Sequence, residues 1–280
     1  MEIIKGITSK DNQSLIDMYC DFFKSTKEIA NEIITNVIDR NNSYIKRDDN
    51  NEIIAAALIT NKRIIDNKKM FIVGNISVIM TKEGFRNKGH TTDLLKTAIE
   101  KWEMIYDSVT MSVKNWDDFS FLDLEDSNSK EVYSYIKGVY PTPMIATFQD
   151  PNEPDIISEV NNNRYLNDED KNWMLIDKED RVKNTKLLQE IFKYKFIANP
   201  KAYVWYNENN EIFDYNFEDI ASLTWLFHTI QPNGQILFSK NVDLSEIKCL
   251  KKENSQVVTV KTTKNSKYKL EILDYIDYFY

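Results

Sequence analysis

Between Ile76 and Thr91 a β-branched, apolar run, Ile76-Ser77-Val78-Ile79-Met80-Thr81, passes through Lys82-Glu83-Gly84-Phe85-Arg86-Asn87-Lys88-Gly89 and opens directly into a helical pattern. Leu94, Leu95, Ala98, Ile99 and Trp102 recur on one face of that helix. A strand, a glycine-bearing loop and a helix in immediate succession leave few architectures open. The start of such a helix presents unpaired backbone N–H groups and the positive end of its dipole. It can therefore hold a diphosphate without any special side chain. Gly89 lets the backbone come close to a phosphate, and Arg86 and Lys88 add positive charge in a chain whose formal net charge is −8.

That charge argues against nucleic-acid binding, which needs a basic surface to displace counterions. With 280 residues the chain is long enough for one large domain or two ordinary ones. Its longest apolar run, Ile53 to Ile59, falls far short of the ~20 residues a membrane helix requires. No basic-then-apolar leader opens the sequence. Cys20 and Cys249 lie far apart and carry no disulfide framework, so a reducing, cytoplasmic setting is expected. His228 has no histidine or cysteine at ligand spacing, and no metal is expected. Only 6 glycines occur, so each is expected where the backbone needs one.

The spacing predicts a first strand over Glu2 to Ile7 and a capping box at Thr8-Ser9-Lys10-Asp11. A helix follows with Leu15, Ile16, Tyr19, Phe22 and Phe23 on its stripe. Ser25 or Thr26 caps a second helix through Ile38. Strands are expected over Ser43–Arg47, Glu52–Ile65, Met70–Thr81 and Ser108–Val113, and a helix over Asn128–Lys137. The implied organisation is a domain over residues 1–150, an acidic linker over 151–168, and a smaller α+β domain over 169–280. In the latter, Val182–Ile197 reads as helix and Ala202–Tyr206 with Glu211–Phe217 as a hairpin. Ile220–Ile230 is open between helix and strand, and Val257–Thr263 and Lys267–Ile276 read as terminal strands.

One internal echo stands out. Tyr44-Ile45-Lys46-Arg47-Asp48-Asp49-Asn50-Asn51-Glu52-Ile53 aligns with Tyr203-Val204-Trp205-Tyr206-Asn207-Glu208-Asn209-Asn210-Glu211-Ile212 at an offset of 159 residues. The same offset pairs Ile29 with Leu188, Ile33 with Phe192 and Ile38 with Ile197. A helix-then-hairpin unit is expected to occur twice, with no phosphate loop in the second copy.

Arg86, Gly89 and Thr91, on this order of elements, resemble the signature of the GNAT superfamily of N-acetyltransferases: Arg or Gln, two residues, Gly, one residue, then Gly or Ala. Thr91 departs from it at the last place. The likeness in element order spans roughly residues 1 to 148. It implies a mixed α+β, GNAT-like fold, with the second domain a degenerate relative or a dimer surface. It also implies acetyl-CoA as co-substrate and a small-molecule or peptide primary amine as acceptor. By the same resemblance Ile79, Met80 and Thr81 would meet the pantetheine arm. Arg86, Asn87, Lys88, Gly89, His90, Thr91 and Thr92 would hold the pyrophosphate, and Asn128 would complete the coenzyme site. A tyrosine on the last helix would protonate the leaving thiolate, Tyr135 first and Tyr133 second. No acid occurs in Met70–Thr81 to serve as base. Of the nearby carboxylates, Glu83 reads as solvated, and Asp117, Asp118 and Asp123 either line the mouth of the cleft or form a solvated acidic loop. A non-catalytic acyl-CoA-binding module on the same fold is the alternative.

Overall fold

The computed structural model describes residues 1–66, 69–112, 117–137, 187–239, 244, 247–253 and 258–267. They form two compact units. One holds Met1–Ser127 and the described stretch from Thr259; the other holds residues from Asn128 to Val258. The expected linker over 151–168 lies outside the described residues. The division observed among them falls within a strand, between Ser127 and Asn128, and again at Val258/Thr259.

The first unit follows the sequence closely. Strand β1 (Glu2–Lys5) leads to a 3-10 turn at Ser9–Asp11, helix α1 (Asn12–Phe23), helix α2 (Lys27–Glu32) and a π-turn at Ile33–Val37. The Asp11 carboxylate accepts from the Thr8 N–H at 2.8 Å and the Thr8 hydroxyl at 2.9 Å, closing the turn that starts α1. Its other oxygen accepts from Arg47, so this buried acid is paired. Thr26 caps α2 by accepting from the Ile29 N–H. Strands β2 (Tyr44–Arg47), β3 (Ile53–Asp66) and β4 (Lys69–Thr81), helix α3 (His90–Trp102) and strand β5 (Ser108–Ser112) follow.

The sheet of this unit runs β1-β2-β3-β4-β5, with β12 (Val258–Thr263) added outside β5. All these pairings are antiparallel except β4 with β5, which is parallel. A parallel pair needs a crossover, and α3 supplies it. Ala55, Ala57, Ile59, Ile76, Val109 and Met111 pack beneath Leu94, Leu95, Ala98 and Trp102 of α3. Small alanines on β3 let the helix approach, while Trp102 is fully buried and satisfies its ring N–H on the Asn42 carbonyl at 2.6 Å. Gly74 on β4 is required by packing: a Cβ there would meet the Tyr106 ring at 2.5 Å.

The second unit departs more from expectation. Residues 128–135, read as helix, belong to strand β6 (Leu124–Tyr135). It pairs antiparallel with β10 (Gln235–Ser239) and β11 (Leu250–Lys252), neither of which was foreseen. The physical reason lies in the residues themselves. Val132, Tyr133 and Tyr135 are strand formers, and their backbone finds two partner strands. Residues 195–199, read as the end of a helix, form β7 (Lys195–Asn199) after a π-turn at Leu187–Ile191. Strand β7 pairs with β8 (Ala202–Tyr206), and β8 with β9 (Ile212–Phe217). Ile220–Ile230 is helix α4, capped by Asp219, which accepts from the Ser222 N–H at 2.8 Å. Leu223, Leu226, Phe227, Tyr215 and Phe238 centre its core.

The hairpin part of the internal echo is present in geometry. The ladder Tyr44↔Ala57 to Arg47↔Ile53 recurs as Tyr203↔Asn216 to Tyr206↔Ile212, and both carry a bulge at the same place, Lys46/Arg47 and Trp205/Tyr206. Both turns close on one side chain. Asp48 Oδ1 accepts from the N–H groups of Asn50 and Glu52, and Asn207 Oδ1 from those of Asn209 and Glu211. Asn51 and Asn210 both sit at positive φ, 64° and 61°. The helical part does not repeat as expected. Ile197 lies within β7, whereas Ile38 follows the π-turn in the first unit.

Candidate functional site

Strand β4 runs beyond its described ladder with β5. That ladder goes from Val73↔Ser108 to Ile76↔Met111, while the ladder with β3 continues to Ala55↔Thr81. Lys82 donates its N–H to the Ile54 carbonyl at 2.9 Å. Strand alternation then turns the backbone groups of Thr81 and Ile79 away from β3. The end of the described β4–β5 ladder is marked by a bulge. The β3–β4 register shifts so that Leu58 faces Val78 and Ile59 faces Ile76, leaving Ser77 as the extra residue. Side chains fix it: Ser77 Oγ lies 2.8 Å from Thr60 Oγ1 and accepts from Asn75 Nδ2 at 2.9 Å, and Thr110 donates to Asn75 Oδ1 at 3.0 Å.

Beyond Thr81 the chain makes a 3-10 turn, Glu83–Phe85, and enters α3 through Asn87 at φ 60° and Gly89 at φ 78°. Two residues in the left-handed region swing the chain so that the first turn of α3 faces the end of β4. Gly89 is the helix N-cap and accepts from the Asp93 N–H, 3.1 Å away. The preceding first-turn N–H groups have no carbonyl within the helix to reach.

A groove of about 610 Å³ opens along this edge. Ile79, Met80, Thr81, Arg86, Asn87, Gly89, His90, Thr91 and Thr92 line it, so the structure gathers most of the residues expected around the coenzyme. Lys88 is not in the lining; its ammonium donates to the Gly84 carbonyl at 2.8 Å and lies over the Phe85 ring. Arg86 folds back instead of reaching outward. Its Nε donates to the Thr81 carbonyl at 3.1 Å, and its guanidinium lies 5.4 Å from the centre of the Phe22 ring. Thr91, the departure from the family signature, turns its hydroxyl to that of Thr81 at 2.6 Å. The extra bulk is thus used to tie the helix start to the strand end. His90 is buried against Phe85, and burial together with the Lys46 ammonium holds its imidazole below the ordinary value. Lys46, itself buried, pairs with Asp93 at 2.9 Å.

The tyrosines expected as general acids, Tyr135 and Tyr133, are both on β6 rather than a helix, in the buried core of the second unit. Tyr135 shares a hydrogen bond with His228 Nδ1 at 3.0 Å, and Tyr133 donates to Glu131 at 2.9 Å. Asn128 is also on β6. Of the acids, Asp118 lines the groove; Asp123 pairs with Lys264, and Glu83 is exposed in its turn. Four lining residues escaped the sequence reading. Phe22 and Phe23, on the apolar stripe of α1, are 42% and 40% exposed, and Phe119 and Phe121 follow β5. Among the described residues no cluster suited to a metal ion is found, and no helix is long and apolar enough to cross a membrane.

No protein-family model matches the chain, and no curated protein matches it in sequence. Solved structures do. A GCN5-related N-acetyltransferase from Anabaena variabilis aligns over 93% of this chain and 72% of its own, with a TM-score of 0.61 and 9% identity. Eis1 from Mycobacterium abscessus aligns over 94% and 73%, with a TM-score of 0.60 and 8% identity. A conserved protein of unknown function from Enterococcus faecalis, described as a probable N-acyltransferase, aligns over 94% and 72%, with a TM-score of 0.63 and 10% identity. At these identities the likeness is one of fold. With this strand, loop and helix order, the chain has the GNAT acetyltransferase fold.

Proposed function

We propose that the chain is an acetyl-CoA-dependent N-acetyltransferase that modifies a primary amine of a small molecule or peptide. The observation that carries this reading is the backbone of β4 at Ile79, turned away from β3 beyond the described β4–β5 ladder, ending on a helix start at Gly89 that no side chain caps. An extended pantetheine arm carries amide groups and would pair with that edge as an added strand. The pyrophosphate would lie on the N–H groups of Asn87 to Thr92, where the dipole of α3 favours negative charge.

With the thioester presented near the bulge at Ser77, a neutral amine attacks its carbonyl carbon. The C–N bond forms and the C–S bond breaks. The sulfur leaves with the electron pair and takes up a proton from solvent, and the nitrogen loses one as the amide forms. Asp118, the carboxylate in the lining, attracts the ammonium form before it sheds its first proton. Proximity and orientation supply much of the acceleration. The test is thiol release from acetyl-CoA against a panel of polyamines, aminoglycosides, amino acids and peptide N-termini. Amine-dependent release supports the reading; none across the panel, with CoA still bound, removes it.

A second reading follows from the lining, which among the described residues contains no tyrosine and a single carboxylate. A module that binds acyl-CoA without turnover would need nothing more. Saturable CoA binding without thiol release would select it.

A further inference from the structure

Four of the eight large apolar side chains exposed among the described residues gather at one end of the first unit: Met70, Ile72, Met104 and Ile105, each between 40% and 75% exposed. Met70 and Ile72 belong to the β3–β4 hairpin. From Arg63↔Ile72 to Asp66↔Lys69 the described ladders pair that hairpin only with itself, and a two-stranded ribbon alone is marginal in water. Met104 and Ile105 stand in the turn between α3 and β5. The two places adjoin. The Ile72 N–H donates to Asp107 Oδ2 at 2.9 Å, and the Asp107 N–H donates to the Ile72 carbonyl at 2.8 Å. Alternation sets Met70, Ile72 and Gly74 on one face of β4, the face that Tyr106 covers at Gly74. The patch is also divided by charge. Arg63, opposite Ile72 and on the same face, and Lys69, at the hairpin's end, make the hairpin side basic. Glu100, Glu103 and Asp107 make the turn side acidic, with Lys101 the exception.

We propose that this patch is a dimer surface, on which a second copy of the chain lies across a two-fold axis. In such a contact residue i of one copy meets residue j of the other, and j meets i. Turning the hairpin of each copy onto the α3–β5 turn of its partner sets Met70 and Ile72 against Met104 and Ile105 twice, and base against acid twice. A patch that is its own complement selects a second copy over an unrelated protein, which would have to supply the complement itself. The apolar side chains then form the centre of the interface and the charges its rim, as in protein interfaces generally. Exposed apolar side chains gathered within a polar rim mark such surfaces. The contact is independent of the coenzyme reading.

Sedimentation velocity of the full chain reads the assembly, from about 1 to 100 μM protein in about 0.15 M salt. The wild type is expected to pass from one copy, 33.0 kDa, to two, with a dissociation constant in the micromolar range. Met104→Lys places a base where the partner's basic hairpin would lie and should weaken association more than about tenfold. Met104 is the most exposed of the four, so its substitution leaves folding intact, and a melting curve checks this. Arg63→Glu and Glu103→Arg should each weaken association alone, since acid then meets acid or base meets base. Mixed in equal amounts, the two variants should pair with each other about as tightly as the wild type, because both charge contacts return in the mixed dimer. A wild type that stays monomeric across the range overturns the inference and leaves the patch to a partner of another kind. A dimer as tight in Met104→Lys as in the wild type also overturns it, since association then uses another surface. A mixture that stays monomeric beside a dimeric wild type overturns the crosswise two-fold arrangement.

Discussion

Exchanging Gly89 for Asn or Asp separates backbone strain from charge at the proposed pyrophosphate site. Gly89 holds φ at 78°, and a Cβ built there meets no heavy atom within 4 Å. The cost of any side chain is therefore conformational, about 1–2 kcal/mol, and Asn and Asp tolerate this region best among the non-glycine residues. Gly89→Asn and Gly89→Asp share that cost and nearly the same shape. They differ by one charge. With a pyrophosphate on the first-turn N–H groups, the new carboxylate would lie roughly 6 Å from a phosphate charge. At an effective dielectric between about 20 and 80 the repulsion is about 0.7–2.8 kcal/mol, or roughly three- to a hundredfold in affinity. Titration calorimetry with CoA should place the Asp variant about tenfold below the Asn variant, and the gap should narrow as salt is raised. Melting temperatures of the two should agree. Equal CoA affinity in two folded variants would refute the reasoning and remove the pyrophosphate from this helix start.

Three further outcomes are expected. Tyr135→Phe should cost about 1 kcal/mol of stability, the scale of its hydrogen bond with His228. It should leave kcat within about threefold, whereas a general acid would cost on the order of a hundredfold; single-turnover rates distinguish the two. Asp118→Asn should raise the KM for a cationic amine several-fold and leave CoA affinity unchanged, as steady-state kinetics and calorimetry would read. Asp39 reports on acid stability. Burial pulls its carboxyl up, but hydrogen bonds from Asn42, Tyr106 and Asn61 outweigh this and hold it below its ordinary 3.8. The native state thus gains stability that is present above pH 3.8 and is lost as pH falls through the lower native value. Tyr106→Phe removes one donor and should move the acid-unfolding midpoint, followed by circular dichroism, to higher pH.

The first unit was legible because local signals and tertiary packing agree there. The Thr8–Asp11 turn, the Thr26 cap, the Asp48 turn and the β-branched run into Gly89 each encode their geometry within a few residues. Glycine scarcity helped as well. Gly74 lies under the Tyr106 ring and Gly89 stands at positive φ, as a chain sparing of glycine would keep them. Residues 128–137 were misread for the opposite reason. The Val132-Tyr133-Ser134-Tyr135 alternation is a strand pattern, but four residues are too few for periodicity to separate strand from helix. The partners that stabilise β6, Gln235–Ser239 and Leu250–Lys252, are about a hundred residues away, and no local pattern announces them. Phe22 and Phe23 show a further limit. Periodicity reports which face of a helix is apolar, not whether that face meets a core or a groove.

The twin hairpins bear on how the second unit relates to the first. A turn that closes on an Asx side chain, with an asparagine at positive φ three residues later, can arise independently wherever Asp and Asn are abundant. A shared turn alone would mean little. The two hairpins also share a bulge one residue before the turn-closing side chain, and every ladder pair recurs at the 159-residue offset. Yet the side chains on the ladder differ. Ala55, Ala56 and Ala57, which admit helices close to the sheet in the first unit, correspond to Asp214, Tyr215 and Asn216. Packing thus does not dictate the common register, since the packed residues are not common. After its hairpin the second unit passes from Phe217 into α4, capped by Asp219, within three residues. A capping carboxylate fills the place an anion would need, so this helix start is closed to phosphate where that of α3 is open. A hairpin kept in register at the 159-residue offset is therefore the part of the internal echo that both units share.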